Sequence, residues 1–225
     1  MYTRQGPVLY RSRRRLGVVE AITGVLGFDV TVWGEANHAG ATPIDMRRDA
    51  LVGASRMVLE LRRRAQERPE LRATVGRIAT LPGAITVIPG QCHFTVDLRP
   101  SRIDVFEPAR EWFTQMVAAV AAEEGLTAGV ECDYALEPTL MDGAVVDAIE
   151  AAAVAEGVDP LRMWSGAGHD AMVIARRVPA GLLFVPSRDG ISHSPREWTD
   201  TADCELGARV LAGAIRRLAC ANGPT

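Results

Sequence analysis

The sequence predicts an α/β protein in which a βαββαβ sandwich interrupts a layered α/β domain. Alternating and helical apolar patterns follow one another in the order β-α-β-β-α-β between residues 28 and 136. After Pro138 the pattern changes to an Ala-rich helix and a Gly-rich turn, and segment 1–22 has too little pattern to fold alone. We therefore expect one domain at 23–138 and a second built from 1–22 and 139–225.

Period-2 and helical patterns define the elements of the inserted domain. They predict strands at 28–34, 73–81, 91–99 and 128–136, a helix that begins at an N-cap on Asp45, and a helix at 104–123 with Phe106, Phe113, Val117 and Val120 facing inward. In the third strand, one face carries apolar Cys92, Phe94, Val96 and Leu98, and the other carries His93, Asp97 and Arg99. This arrangement is typical of a four-stranded antiparallel sheet covered on one face by two helices.

The C-terminal block predicts a helix at 142–156, a turn at 165–168, a short helix, a buried strand at 181–186 and a final helix from Asp200. Such a series is typical of the closing part of an α/β layer domain.

Composition excludes several classes of protein. With 48% hydrophobic and 24% charged residues and a net charge of −3, the chain can form a core, and neither disorder nor dedicated nucleic-acid binding is expected. No apolar run reaches the roughly 20 residues that cross a bilayer, so we predict a cytoplasmic protein without a membrane partner. All 25 basic residues are arginine, which excludes Schiff-base and P-loop lysines. The four cysteines are predicted to be buried free thiols.

Three of the four histidines lie in turns rich in small or polar residues, namely His38, His169 and His193. Such imidazoles can bind a metal or polarise a carbonyl, although an ordinary surface histidine fits each turn equally well. His93 lies within a strand, which favours a solvated, non-functional role. The fork of Arg99 can hold a carboxylate, and an ordinary surface arginine is again the alternative.

Two further kinds of site are disfavoured. Serine nucleophiles at Ser165, Ser192 or Ser194 lack a G-x-S-x-G elbow. The arginine clusters 11–15 and 62–64 have no interleaved aromatic residues, which favours solvated faces over nucleic-acid contacts.

Six motifs together resemble one known family. They are Gln5-Gly6-Pro7-Val8-Leu9, Asn37-His38-Ala39-Gly40-Ala41-Thr42-Pro43 after Gly34, Arg47-Arg48-Asp49-Ala50, Val87-Ile88-Pro89-Gly90 with Asp97-Leu98-Arg99, Ser165-Gly166-Ala167-Gly168-His169-Asp170-Ala171, and Phe184-Val185-Pro186-Ser187 through Gly190-Ile191-Ser192-His193-Ser194-Pro195 and Glu197. In this order they resemble the amidohydrolase branch of the M20 metallopeptidase clan, which comprises N-carbamoyl-L-amino acid hydrolases and allantoate amidohydrolases.

The resemblance implies a fold and an activity. It implies a zinc-peptidase-like α/β catalytic domain, here incomplete, at 1–22 and 139–225, with a lid at 23–138 through which two copies dimerise. It also implies two divalent metal ions, zinc or manganese, bridged by an aspartate, and a glutamate base that activates water for attack on an amide or ureido carbon. The implied substrates are small N-carbamoyl amino acids, allantoate or related ureido acids.

The resemblance also assigns roles residue by residue. His193 is implied as a metal ligand, and His38 as the lid histidine that stabilises the developing oxyanion in the partner subunit's site. Arg99 is implied as the clamp on the substrate carboxylate. The pocket is lined by Gln5 and by the Gly166-Ala167 backbone, with a positioning role for His169.

Three departures limit these assignments. The family's first motif usually carries a metal-binding histidine at the position of Tyr2, and asparagine is common at the position of Thr86. The family's other metal ligands lie upstream of the Gln-Gly-Pro motif, so we expect this chain alone to bind no dinuclear centre. Two alternatives therefore stay open: an inactive truncated homologue that retains dimerisation, and a module that binds ligand through Arg99 and His38 without metal.

Overall fold

A computed structural model describes residues 2–4 and 6–221. The chain divides into two compact units, which we call the inserted unit (Gly24–Pro138) and the discontinuous unit (Met1–Thr23 with Thr139–Thr225). Within the described residues, no helix is long and apolar enough to cross a membrane.

The strands, in chain order, are β1 (Tyr2–Arg4), β2 (Gly17–Ile22), β3 (Val25–Trp33), β4 (Asn37–His38), β5 (Leu71–Leu81), β6 (Val87–Ile88), β7 (Gln91–Pro100), β8 (Thr127–Leu136), β9 (Thr139–Leu140), β10 (Leu161–Ser165) and β11 (Leu182–Pro186). The α-helices are α1 (Val8–Ser12), α2 (Ala50–Glu67), α3 (Ile103–Glu123), α4 (Gly143–Ala155), α5 (Ala171–Ile174) and α6 (Thr201–Ala221). Short 3-10 helices span Ile44–Met46 and Arg188–Gly190.

The inserted unit is an antiparallel sheet with the strand order β5-β7-β3-β8 and two helices on one face. Its core joins alternate strand residues to the inward faces of α2 and α3, and the rings of Phe28 and Phe113 pack with centroids 4.5 Å apart. The predicted apolar face of β7 is buried and its opposite face is partly exposed. The sequence therefore predicted this βαββαβ sandwich correctly.

Helix α2 begins later than its pattern indicated. The predicted N-cap Asp45 lies instead in the 3-10 helix, and the side chain of Asp49 caps α2 by accepting hydrogen bonds from the amides of Leu51 and Val52. The Pro43 backbone at φ −55° and ψ 151° is followed by a single tight turn, which delays α2 by one helical turn. The prediction of Asp45 as N-cap was wrong.

The discontinuous unit contains a second sheet with the strand order β1-β11-β2-β10, in which β9 also pairs with β2. Strand β1 runs parallel to β11, whereas β11 runs antiparallel to β2. Helices α4 and α6 cover this sheet through residues that include Ile149, Leu206 and Val210. Sequence patterns missed β2 and β10 because both are short and β2 is buried along nearly its whole length, which leaves no alternation to detect.

The cysteine prediction was only partly correct. All four are free thiols, but only Cys92 is buried, while Cys132 and Cys220 are exposed and Cys204 is intermediate. Cys132 lies in β8 within an exposed run, and Cys220 lies near the end of α6.

Candidate functional site

His38 lies in the short strand β4, in an exposed turn whose backbone amides point at its own ring. Its Nδ1 accepts hydrogen bonds from the N–H groups of Gly40 (3.0 Å) and Ala41 (3.1 Å). A nitrogen that accepts two N–H groups cannot carry a proton, so the neutral ring holds its proton on Nε2. The exposed imidazole therefore presents an Nε2–H donor away from the turn, which is the group that a developing oxyanion requires.

Two of the six motifs meet at this turn. Strand β4 pairs with β6, with His38 opposite Val87, and the Ala39 amide donates to the Thr86 carbonyl at 2.9 Å. Thr86, one of the departures from the family pattern, thus contacts the His38 turn through its backbone. The contact needs only an N–H group at position 39, which every residue except proline supplies.

A third motif supplies Arg47, whose half-buried guanidinium lies inside the same turn. Its Nε donates to the Thr42 carbonyl (3.0 Å) and its Nη2 to the Ala39 carbonyl (2.5 Å). Arg47 belongs to one of the six motifs, but the sequence alone indicates no role for it. The only available signal was its place nine residues after His38, which does not by itself indicate contact.

Arg99 lies on the open face of the inserted unit's sheet, at the end of β7. Its Nε and Nη2 donate to the two carboxylate oxygens of Asp97 at 2.7 and 2.8 Å. The hydrogen bonds with Asp97 raise the pKa of Arg99 above its ordinary value. Burial acts in the opposite direction, and the nearby Tyr134 adds to the increase. The guanidinium is thus a permanent cation held in one orientation, which suits recognition of a carboxylate.

His93 lies on the same open face, and it is less solvated than the sequence indicated. Its Nε2 is hydrogen-bonded to Asp29 on the neighbouring strand, and Arg77 lies 3.7 Å from the other oxygen of that carboxylate. The side chains of His93 and Asp29 are only about a quarter exposed, at 28% and 27%. A cross-strand pair of this kind holds the sheet together.

In the discontinuous unit, a turn after β10 joins Ser165 to His169. The buried Ser165 Oγ lies 2.9 Å from Nε2 of His169, donates to the Ala167 carbonyl (2.9 Å) and accepts from the Ala167 amide (3.2 Å). The ring of His169 also packs on Phe184, with centroids 5.3 Å apart. Because Ser165 is fully buried and saturated with partners, it cannot act as a nucleophile, in agreement with the sequence interpretation.

The contacts of this turn limit how Gly166 and Ala167, which were expected to line the pocket, could bind a ligand. Both polar backbone groups of Ala167 are engaged by Ser165, so any contact from Ala167 to a ligand would use the second lone pair of its carbonyl. Sequence reasoning considered Ser165 only as a nucleophile and missed its contacts with the turn.

His193 lies in an exposed loop after β11, and its backbone has a positive φ of 55°. Its amide donates to the Glu197 carboxylate at 3.1 Å. The loop approaches the Gln-Gly-Pro motif, because the Gly6 amide donates to the Gly190 carbonyl at 3.2 Å and a Cβ on Gly190 would collide with Pro7. Gln5 itself lies outside the described residues.

The metal-binding capacity of these residues can be tested from their donors. Within residues 2–4 and 6–221, no group of three or more His, Cys, Asp or Glu side chains lies close enough together to hold a metal ion. A stable zinc site needs three or four such ligands. The described residues therefore do not fit the two-metal centre that the resemblance implies, and we assign no chemical step to a metal.

Comparison with known proteins agrees with the motifs. The Peptidase family M20/M25/M40 matches residues 15–217. An allantoate amidohydrolase from Bacillus subtilis is 39% identical over 220 residues, which covers 97% of this chain and 53% of that protein. An N-carbamoyl-L-amino-acid amidohydrolase from Paenarthrobacter aurescens is 38% identical over 219 residues, with 97% and 53% covered.

Solved structures agree as well. A hydantoinase/carbamoylase-family amidase from Burkholderia multivorans superposes with a TM-score of 0.94 at 38% identity, covering 100% of this chain and 54% of that one. The predicted α/β fold class with an inserted βαββαβ unit is thereby confirmed. The chain spans about half the length of the curated relatives that it matches. On the family match and on these identities, the chain belongs to the M20 peptidase family, among its amidohydrolases.

Proposed function

We propose that this chain forms part of a metal-dependent amidohydrolase that cleaves a non-peptide C–N bond in an N-carbamoyl amino acid, allantoate or a related ureido acid. The observation that carries the proposal is the His38 turn, in which two backbone amides donate hydrogen bonds to Nδ1 and leave Nε2–H available as a donor. Attack of water on a ureido carbon places negative charge on the carbonyl oxygen, and a neutral donor stabilises that charge in the transition state.

The substrate's carboxylate is assigned to Arg99. Asp97 holds this guanidinium in place on the open face of β7 through Nε and Nη2, and a guanidinium carries five N–H donors, more than Asp97 uses, with which to bind a carboxylate. The Gly166-Ala167 turn and His169 are proposed to line the pocket with Gln5. The proposal includes a divalent metal centre, zinc or manganese, with His193 as one ligand, although the described residues do not complete it.

The proposal also assigns the inserted unit as a lid through which two copies dimerise, with His38 of one copy serving the other copy's site. The discontinuous unit is correspondingly the incomplete catalytic domain. A location in the cytoplasm belongs to the same proposal.

The test is hydrolysis of N-carbamoyl amino acids and allantoate by the purified chain with added zinc or manganese, accompanied by metal analysis. We expect His38→Gln to lower kcat about a hundredfold, because one oxyanion donor is lost, and Arg99→Lys to act mainly on KM. His93→Gln is the matched control, since it removes a histidine from the same unit without touching the proposed site. Measurable turnover that is equal in wild type and His38→Gln would contradict the role of His38, whereas a wild type without turnover would favour an inactive homologue over the proposed enzyme.

Dimerisation through the lid predicts complementation. An inactive His38→Gln chain mixed with an inactive His193→Gln chain should regain about a quarter of wild-type activity, because half of the dimers are mixed and one of their two sites is intact. No recovery in a sample that sedimentation shows to be dimeric would contradict a site shared between subunits.

A second candidate is an inactive homologue that keeps dimerisation or ligand binding, favoured by the lack of a metal-ligand cluster among the described residues. Under this alternative, the chain with added metal binds no ion and turns over no ureido acid, yet remains dimeric at sedimentation equilibrium. A monomeric, inactive chain that shows no calorimetric heat with ureido acids would exclude it.

A further inference from the structure

We propose that Arg47 is a positioning residue for His38, acting through the Ala39–Gly40 peptide unit to favour the imidazole tautomer with its proton on Nε2. This inference rests on the proposed function of His38 and explains how the fold prepares that donor. Nothing in the comparisons or motifs assigns Arg47 a role.

The contacts form one continuous chain. The Nη2 of Arg47 donates to the carbonyl of Ala39 at 2.5 Å. That carbonyl belongs to the same peptide group as the N–H of Gly40, which donates to Nδ1 of His38 at 3.0 Å. Two successive hydrogen bonds thus connect a cation, a peptide group and an imidazole, and this series ends at the exposed Nε2–H.

The direction of the effect follows from polarisation. A charged donor on a carbonyl oxygen draws electron density from the peptide group and makes its N–H a stronger donor. A stronger N–H at Nδ1 favours the lone pair there and disfavours a proton. The tautomer with Nε2–H is therefore stabilised relative to the tautomer with Nδ1–H.

A second contact fixes the geometry of the turn. The Nε of Arg47 donates to the Thr42 carbonyl at 3.0 Å, so that one guanidinium spans the turn from residue 39 to residue 42. The amide of Ala41, the second donor to Nδ1, lies between these two anchors. A lysine offers one point charge rather than a fork and cannot hold both carbonyls in the same way.

The surroundings of Arg47 favour this role over an ordinary ion pair. In the part of the chain that the structure describes, Arg47 has no carboxylate partner, and its two acceptors are both main-chain carbonyls of the His38 turn. Its neighbour Arg48 is exposed and its side chain has no hydrogen bond or ion pair among the described residues. Arg48 is therefore a matched control at the adjacent position.

The decisive measurement is the tautomer of His38, read from the two imidazole ¹⁵N shifts of histidine-labelled protein at a pH where the ring is neutral. The His38 signals are identified by their loss in His38→Gln. We expect wild type and Arg48→Gln to show a lone pair on Nδ1 and a proton on Nε2. In Arg47→Gln the two shifts should move toward the averaged values of an imidazole that exchanges between tautomers.

Arg47→Lys covers the case in which Arg47→Gln does not fold, and it should show an intermediate shift because one carbonyl contact can be kept. Unchanged His38 shifts in a folded Arg47 variant would overturn the inference. Because this readout needs no turnover, it fails or succeeds independently of the proposed function. If the chain is active, kcat should fall about tenfold in Arg47→Gln with KM little changed, since a misplaced donor loses transition-state stabilisation; an effect on KM alone would also overturn it.

Discussion

The hydroxyl of Ser165 and the ring of His169 are linked by a 2.9 Å hydrogen bond whose direction the rest of the turn determines. The serine has one proton, which the Ala167 carbonyl receives, and it accepts from the Ala167 amide. Because the carbonyl cannot donate and the amide cannot accept, all three contacts are satisfied only if His169 donates from Nε2. His169 therefore carries a proton on Nε2, as His38 does.

Ser165→Ala should destabilise the discontinuous unit. It removes the buried hydroxyl that the Ala167 amide and carbonyl and the His169 ring nitrogen share. Because these groups are only partly buried, we expect a loss of about 1 kcal/mol in the free energy of unfolding. Urea denaturation measures this cost. Ser187→Ala is the control, since Ser187 is also buried but its hydroxyl makes a single hydrogen bond within the described part of the chain, to the Ile191 carbonyl at 2.6 Å. An equal loss in both variants would contradict the shared role of Ser165.

Gly34→Ala should destabilise the inserted unit by steric collision. A Cβ at Gly34 would overlap the backbone carbonyl of Arg48, which cannot rotate away as a flexible side chain can. We expect a loss of about 1–3 kcal/mol, because overpacking forces the backbone to shift. Gly76→Ala is the matched control, because its Cβ would lie 3.8 Å from Thr95 Oγ1, and thermal melts in which the two variants lose equal stability would refute the prediction.

Two substitutions should show which aspartate caps α2, the observed cap Asp49 or the cap Asp45 that the pattern indicated. They are Asp49→Ala and Asp45→Ala. The Asp49 side chain accepts from two amides at the start of α2, so its removal should cost about 1 kcal/mol. Among the described residues Asp45 caps no α-helix, so Asp45→Ala should lower the free energy of unfolding by less than about 0.5 kcal/mol. Chemical denaturation of both variants checks the order, and a larger loss for Asp45→Ala would mean that α2 begins earlier than described.

The thiols should differ in reactivity according to burial. Burial, and to a smaller extent the charge of Asp49, raise the pKa of Cys92, so that the thiolate, the reactive form, is scarcer at neutral pH than for an exposed cysteine. We expect Cys132 and Cys220 to react with a disulfide reagent in the native protein and Cys92 only after unfolding. Cys92→Ser should therefore leave the number of rapidly reacting thiols unchanged, whereas Cys132→Ser should lower it by one; a loss of one in Cys92→Ser would contradict the assignment.

The sequence by itself determined the inserted unit and the family. Alternation in β7 assigned Cys92 and Phe94 to the core and His93 to the other face, because a strand exposes successive side chains to opposite sides of a sheet. Helical spacing placed α3 within one residue of its observed start at Ile103. The motifs around His38, Arg99 and His193 identified the family because each keeps its residues together along the chain.

Only the tertiary structure decided which groups meet. The contact of Arg47 with the Ala39 carbonyl and that of Ser165 with His169 each depend on how a turn folds back on itself, and no periodic pattern records such a turn. Strand β2 likewise shows no alternation because it is buried along nearly its whole length, and β10 is only five residues long. Periodicity reports which side of an element faces the core, whereas hydrogen-bond direction and ring tautomer depend on the three-dimensional position of each donor and acceptor.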